Sequence, residues 1–443
     1  MTLAVKKPKK IRGAIDAPSD KSISHRAIIF NAVSTGTSII QNFSASADCL
    51  STVRCLRQLG AKIVTIRTSE PANKYAKTLQ VTGLGEKGIT EPTNVLNAGN
   101  SGTTMRLLMG VLAANEINSV LTGDHSLRSR PMIREIRALR EMGSEIWARG
   151  DLSLPPISIN GKRLRGGQYT MPEASAQLKS TLLLAGLFSE GAITIDQPHI
   201  SRDHSERMLT AMGAPIVSDR LQLTIQPGPI RATDMTVPGD ISSASFWLVL
   251  GLCHPDSEVT VRNVNINPSR AGFLEVIEQM GGSIKITNQA HQSGEPIADL
   301  TATSSSLSSV VIEGALIPLL IDELPILALA ACFARGKTLI KDASSLRLKE
   351  TDRITTTTSE LRRIGANIEE TRDGMIISGV TSLQGGRTSS HGDHRLAMTL
   401  GIAGMLAEGE TEIAYPNATR ISYPGFWDDL ELITQGVLVS NER

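Results

Sequence analysis

One junction recurs along the 443 residues and limits the folds open to the chain. An apolar-periodic segment ends in Leu, Met or Ile, followed by Gly, a small residue and a strand-like run. The copies are LRQLGAKIV, LREMGSEIW, LTAMGAPIV, IEQMGGSIK and LRRIGANIE, with glycines at Gly60, Gly143, Gly213, Gly281 and Gly365. Each glycine stands where a helix C-terminus needs a left-handed residue. A second junction interleaves with the first: an Ala/Leu-rich segment ends in a polar turn and enters a β-rich run. It reads STGTSII from Ser34, AANEINSVL from Ala113, SEGAITI from Ser189, HPDSEVTV from His254, ARGKTLI from Ala334 and AEGETEI from Ala407. These six copies lie about 65 to 80 residues apart.

Six such units in a chain too long for one core predict an α/β protein of two domains with three units each. No GxxxxGK[ST] phosphate loop is present, so a P-loop nucleotide site is not expected. Pro- and Gly-bearing seams at 15–21 and 230–240 place the crossings between domains. The expected division is a discontinuous domain of 1–20 and 238–443, and an inserted domain of 21–237. Two crossing strands would make a hinge.

Composition narrows the function. A net charge of +1 supplies no global field toward nucleic acid or membrane, and 3% aromatic residues leave few stacking platforms for bases. Cys49, Cys55, Cys253 and Cys332 show no CxxC and no companion His spacing, which argues against disulfides and zinc and for a reducing cytoplasm. MTLAVKKPKKIRG lacks an apolar core and does not read as a signal peptide. The most apolar stretch, 315–334, is interrupted by Asp322 and Glu323, so a membrane span is not expected.

Small polar and cationic clusters stand at predicted helix starts in five of the six units. SDKSISHRA offers Lys21, Ser22 and Arg26 behind a cap at Asp20 or Ser19. NAGNSGTTMR offers Gly102, where a ligand can approach the backbone closely. GDHSLRSRPM carries Arg128 and Arg130, of which one would reach a site and the other stay solvated. EASAQLKSTL opens with Ser175, Ala176 and Gln177, and Ser201 and Arg202 follow one unit later. IDELP holds Asp322 at the edge of two apolar runs, where desolvation would make it a general-base candidate; the plainer alternative is a helix cap. LRLKETDR packs Lys349, Glu350 and Arg353, with Lys349 and Arg353 expected on one helical face, and DHRLAM adds Arg395. Helix N-termini reinforced by Lys and Arg are selective for anions. Seven candidate cations (Lys21, Arg26, Arg130, Arg202, Lys349, Arg353, Arg395) would suit two small phosphate- and carboxylate-bearing ligands.

Taken in order, PSDKSISHR, NSGTTMR, SRPM, SAQ, LRLKETDR, DHRLAM and ATRISYPGF resemble the enolpyruvyl transferases, and within them the branch acting on shikimate 3-phosphate. The resemblance implies two lobes, each an inside-out α/β barrel of three repeats, joined by two crossing strands. It implies transfer of the enolpyruvyl group of phosphoenolpyruvate to the 5-hydroxyl of shikimate 3-phosphate by addition and elimination. No metal or organic cofactor, nucleic-acid or membrane partner is implied, and a monomer is expected. Lys21 would contact both substrates. Ser22, Arg26, Ser175, Ala176, Gln177, Ser201, Arg202, Asp322 and Lys349 would hold shikimate 3-phosphate. Gly102, Arg130, Gln177, Arg353 and Arg395 would hold phosphoenolpyruvate. Lys21, Asp322 and Glu350 are the proton-transfer candidates. Two departures from the family pattern stand out: Ser19 replaces a commoner Gly, and Ile421, beside Arg420, stands where some members carry Lys. The rival reading is the UDP-N-acetylglucosamine branch, which uses a loop cysteine. A non-catalytic anion binder on the same fold is the reading from another class.

Overall fold

The computed structural model describes residues 2–67, 75–85, 88–434 and 438–441. The chain divides into two compact units: residues 1–18, 239–291 and 296–443, and residues 19–238 with 292–295. The crossings fall at 18/19 and 238/239. The short segment Gln292–Glu295, which the sequence reading left with the discontinuous unit, groups with the inserted one.

The described strands form six four-stranded sheets, three in each unit. One repeat shows the plan. Strand Leu96–Asn97 leads through α3 (Gly102–Ala113; α1, Lys21–Val33, and α2, Ala47–Gln58, precede it) to a parallel strand, Asn118–Thr122. Helix α4 (Ile133–Glu141) then leads to the hairpin Glu145–Arg149 and Leu154–Asn160, and the second hairpin strand pairs antiparallel with Asn118–Thr122. Strand Leu154–Asn160 alternates buried and exposed residues, as a sheet with one covered face must. The same β-α-β-α-β-β order uses α5 (Ala176–Gly186) with α6 (His204–Ala211), and α10 (Leu324–Cys332) with α11 (Arg353–Arg363). Helices α7 (Ile241–Cys253), α8 (Gly272–Gln279) and the short α9 (Ile317–Leu320) lie between them, and α12 (His394–Leu406) and α13 (Phe426–Thr434) close the series.

Two repeats exchange their first strands across the crossings. Strand Ile11–Asp16 precedes α1 in the chain but pairs with Ser257–Asn265, which follows α7. Strand Met235–Thr236 precedes α7 but pairs with Thr37–Ser44, which follows α1. A third repeat is completed by the chain ends: Thr2–Lys6 lies between Glu410–Ala414 and Leu438–Asn441.

The first helix of each repeat is buried almost all round, and the second on one face. Every residue of α10 and α12 is buried, as is every residue of α7 except Cys253. In α4 the buried set is Glu135, Ile136, Ala138 and Leu139, spaced as one helical stripe. Helices α7, α10 and α12 pack on one another at the centre of one unit, and α1, α3 and α5 form the corresponding series in the other. Sheets around buried helices are the inside-out α/β arrangement that the resemblance implied. The apolar stretch near 315–334 is bent by 110° between Gly314–Leu320 and Leu324–Cys332, and no single described helix is long and apolar enough to cross a membrane.

The junction glycines behave as expected: Gly60, Gly143, Gly213, Gly281 and Gly365 take φ of +97°, +100°, +86°, +77° and +93°. A second glycine device escaped the sequence reading. At Gly161, where a hairpin strand meets the end of the first helix, a Cβ would lie 1.9 Å from the Asn115 carbonyl oxygen. Gly379 stands 1.8 Å by the same measure from the Ala334 carbonyl oxygen. Only a missing side chain allows this approach.

Candidate functional site

Each unit carries its own polar cluster. In the inserted unit Asp20, not Ser19, caps α1, accepting from Ile23 N at 2.8 Å. Ser19 has no left-handed backbone, so replacement of Gly costs nothing there, and its hydroxyl donates to Asn42 Oδ1 at 3.0 Å. Lys21, first residue of α1, donates from Nζ to Asp48 Oδ2 at 3.1 Å. Arg26 is buried; it donates from Nε to Ser205 Oγ (2.8 Å), from Nη2 to Ser180 Oγ (2.7 Å) and from Nη1 to the carbonyl of Ser22 (3.0 Å).

Ser101 caps α3, so Gly102 opens the helix rather than preceding it. Arg130 is buried and donates from Nη2 to Asn100 Oδ1 at 2.7 Å and Ser126 Oγ at 3.1 Å, while Arg128 is exposed. A Cβ at Gly102 would lie 3.5 Å from Arg130 Nη1, which places this arginine against the α3 start. It would lie closer still, at 2.7 Å, to Nη1 of Arg106, which is held by Glu135 and by the Pro131 carbonyl, both at 3.1 Å. Ser175 is the N-cap of α5 and accepts from Leu178 N; Ala176 is the first helical residue, and Gln177 Nε2 donates to Thr103 Oγ1 at 2.9 Å. Ser201 is buried and donates to Gln197 Oε1, while its carbonyl accepts from Lys179 Nζ; Arg202 is half-buried. Lys179 in turn pairs with Glu206 at 2.6 Å.

In the other unit Asp322 is the centre of a charge cluster. Its Oδ1 lies 3.5 Å from both Lys349 Nζ and Arg353 Nη1. Two expectations change here. Asp322 does not cap α10, whose N-cap is Glu323 with no side-chain cap bond. Its side chain is 18% exposed and lies between two cations, so desolvation in an apolar pocket is not its setting. Lys349 and Arg353 also do not share a helical face. Lys349 ends the 3₁₀ turn Ser344–Leu348, whereas Arg353 opens α11 after the Asp352 cap. They meet because the intervening turn folds both toward one carboxylate.

Arg353 is 2% exposed and held by Asp393 Oδ2 at 2.8 Å and Glu350 Oε2 at 2.6 Å. Burial alone would lower its pKa, but Asp393, Glu350 and Asp322 outweigh it and raise the guanidinium pKa. Asp393 also caps α12 through Arg395 N at 2.8 Å. Arg395 is buried, and its Nε and Nη1 have no hydrogen-bond partner among the described residues. Buried N–H groups of this kind are costly unless an acceptor meets them. Asp240 caps α7 and pairs with Arg270 at 2.9 Å. Burial pushes its pKa up, but Arg270 and Arg395 bring it below the usual carboxylate value. Among the described residues no group of three or more His, Cys, Asp or Glu is arranged to hold a metal ion.

Residues 5–430 match the family EPSP synthase (3-phosphoshikimate 1-carboxyvinyltransferase). The chain belongs to the EPSP synthase family. Curated members carry the same description: the 3-phosphoshikimate 1-carboxyvinyltransferase of Roseiflexus castenholzii is 48% identical over 433 residues, covering 97% of this chain and 98% of the relative. That of Chloroflexus aurantiacus is 49% identical over 434 residues, with 97% and 98% covered. A solved EPSP synthase structure from Acinetobacter baumannii superposes with a TM-score of 0.84 at 37% identity, covering 99% of each chain.

The loop cysteine of the rival branch has no counterpart in Cys49 or Cys55. Both are buried, and burial pushes each thiol up to about 12. Arg420, beside the departed Lys position, is exposed in the turn Pro416–Ile421. Four acidic partners escaped the sequence reading: Asp48 and Asp393, which pair with Lys21 and Arg353, and Asp240 and Glu206, which pair with Arg270 and Lys179. Asp240 alone left a signal, since VPGDISS repeats the Pro-x-Asp-x-Ser pattern of PSDKS at the other crossing. The structure makes the parallel concrete: Asp20 N donates to the Pro238 carbonyl, and Asp240 N to the Pro18 carbonyl, each at 2.8 Å.

Proposed function

We propose that this chain transfers the enolpyruvyl group of phosphoenolpyruvate to the 5-hydroxyl of shikimate 3-phosphate and releases phosphate, acting as a cytoplasmic monomer. The observation that carries the chemistry is Asp322 between Lys349 and Arg353. A carboxylate so placed accepts the proton of the attacking hydroxyl, while its cationic neighbours stabilise negative charge on the reacting groups. In the addition, the 5-hydroxyl oxygen bonds to C2 of phosphoenolpyruvate and C3 takes a proton. In the elimination, the C2–O bond to phosphate breaks and C3 returns a proton. Lys21 and Glu350 are the candidates for the C3 proton. Arg353, Arg395, Gly102, Arg130 and Gln177 hold phosphoenolpyruvate, and Arg395 offers it two donor nitrogens, Nε and Nη1, that have no acceptor among the described residues. Lys21, Ser22, Arg26, Ser175, Ala176, Gln177, Ser201, Arg202, Asp322 and Lys349 hold shikimate 3-phosphate.

Phosphate release measured with shikimate 3-phosphate plus phosphoenolpyruvate tests the reading. Release is expected only with both substrates present. Silence with this pair, and turnover with UDP-N-acetylglucosamine in place of shikimate 3-phosphate, would overturn it.

Gly102→Ala tests the phosphoenolpyruvate subsite. The new methyl must displace Arg106, a buried side chain already anchored at two points, and it also crowds Arg130. We expect KM for phosphoenolpyruvate to rise by about tenfold, the equivalent of roughly 1.4 kcal/mol. The Ki of glyphosate, a longer molecule in the same place, should rise further. Equal changes in the two constants would refute a steric block at this position.

A further inference from the structure

The start of α3 is tied to α1 and α2 by a buried chain of polar groups that the reaction scheme does not use. His25 Nδ1 lies 2.7 Å from Thr52 Oγ1, Thr52 Oγ1 lies 2.7 Å from Thr104 Oγ1, and Thr104 Oγ1 donates to Ser101 Oγ at 2.7 Å. All four residues have zero exposure. The chain runs one helical turn behind the Lys21–Asp48 pair, since His25 and Thr52 stand four residues after Lys21 and Asp48.

Proton counting gives the chain a direction. A hydroxyl has one proton to donate. Thr104 spends its proton on Ser101, so its oxygen accepts from Thr52, and the Thr52 oxygen must then accept from His25 Nδ1–H. Burial, helped by the charges on Lys21 and Arg26, holds the His25 pKa well below its ordinary value, so the donor is a neutral imidazole. Its Nε2 has no hydrogen-bond partner among the described residues. The chain ends on Ser101, whose Oγ also accepts from Thr104 N at 3.1 Å and thereby caps the helix that Gly102 opens.

We propose that His25, acting through Thr52 and Thr104, is a positioning residue that fixes the Ser101–Gly102 backbone and so sets the affinity for phosphoenolpyruvate without touching it. The inference rests on the reading that Gly102 and Arg130 hold phosphoenolpyruvate. A backbone that must meet a small anion at hydrogen-bond distance gains from a cap whose oxygen cannot rotate. The neutral donor suits this place, because a charged imidazole would add a third cation beside Lys21 and Arg26.

The test compares steady-state constants for both substrates in paired variants of the full chain. Thr52→Val keeps shape and removes the hydroxyl; His25→Leu removes the donor. Each is expected to raise KM for phosphoenolpyruvate by about tenfold, the scale of one buried hydrogen bond, with KM for shikimate 3-phosphate within about twofold. Thr52→Ser restores the hydroxyl, and His25→Asn places an amide N–H near the Nδ1 position, so both should return KM for phosphoenolpyruvate to within about twofold of the parent. Equal rises in both KM values, a fall in unfolding midpoint with neither KM changed, or His25→Asn no better than His25→Leu would overturn the proposal. If His25→Leu does not fold, the Thr52 pair decides alone. Arg130→Lys serves as the control. If it leaves KM for phosphoenolpyruvate unchanged, the placement of that ligand fails; if it raises KM while Thr52→Val does not, only the positioning role fails.

Discussion

Asp322→Asn is expected to lower kcat by about 10²- to 10⁴-fold, the usual contribution of a positioned general base, while dissociation constants for both substrates stay within about threefold. The substitution keeps the shape and a hydrogen-bond acceptor but removes the basic carboxylate. Lys349 and Arg353, both 3.5 Å from Oδ1, lose a counter-charge. Arg353 keeps Asp393 and Glu350, so the cluster should hold its geometry. Single-turnover rates and equilibrium binding separate the two effects. A variant that turns over at the parent rate refutes the base assignment, and one that loses binding as steeply as rate makes Asp322 a binding group instead.

The second large effect is expected on stability. Asp393→Ala removes a carboxylate that pairs with fully buried Arg353 and the cap of α12 together. Stranding a buried charge costs about 3–5 kcal/mol. Glu350 still holds Arg353 at 2.6 Å, which favours the lower end of that range. Asp393→Asn retains a cap acceptor and loses only the charge, so its cost should be about 1–3 kcal/mol. Denaturant unfolding followed through buried Trp247, which lies in the same unit, reads both. Equal losses in the two variants would show that the charge itself contributes nothing.

The parts of the site legible in sequence share a local cause. Asp20, Ser101 and Ser175, at helix starts that the sequence marks, each accept from a backbone N–H three residues ahead, so the cap is written within a few positions. The candidate cations at helix starts follow from the same short-range pattern. Their acidic partners do not. Lys21 meets Asp48, and Lys349 meets Asp322, at a separation of 27 residues; Arg353 meets Asp393 at 40. Glu350, three residues before Arg353, is a partner within a helical turn; nothing so close names Asp48, Asp322 or Asp393. The Lys349–Arg353 pair shows how a local rule can mislead: the spacing suggested one helical face, but the helix begins at Arg353 and the convergence is made by the preceding turn.

The sequence by itself determined the repeat, the polar helix starts and five left-handed glycines that stop helices. All of these depend on backbone preferences and on periodicities of a few residues. Only the tertiary structure decided that two repeats exchange their first strands, that Thr2–Lys6 completes a sheet with Glu410–Ala414 and Leu438–Asn441, and which carboxylate meets each cation. It also decided that Gly161 and Gly379 must lack side chains, because a carbonyl from a distant turn occupies the space. These outcomes depend on which surfaces meet when buried helices pack inside their sheets, and contacts made across tens of residues leave no mark on the local spacing that a sequence displays.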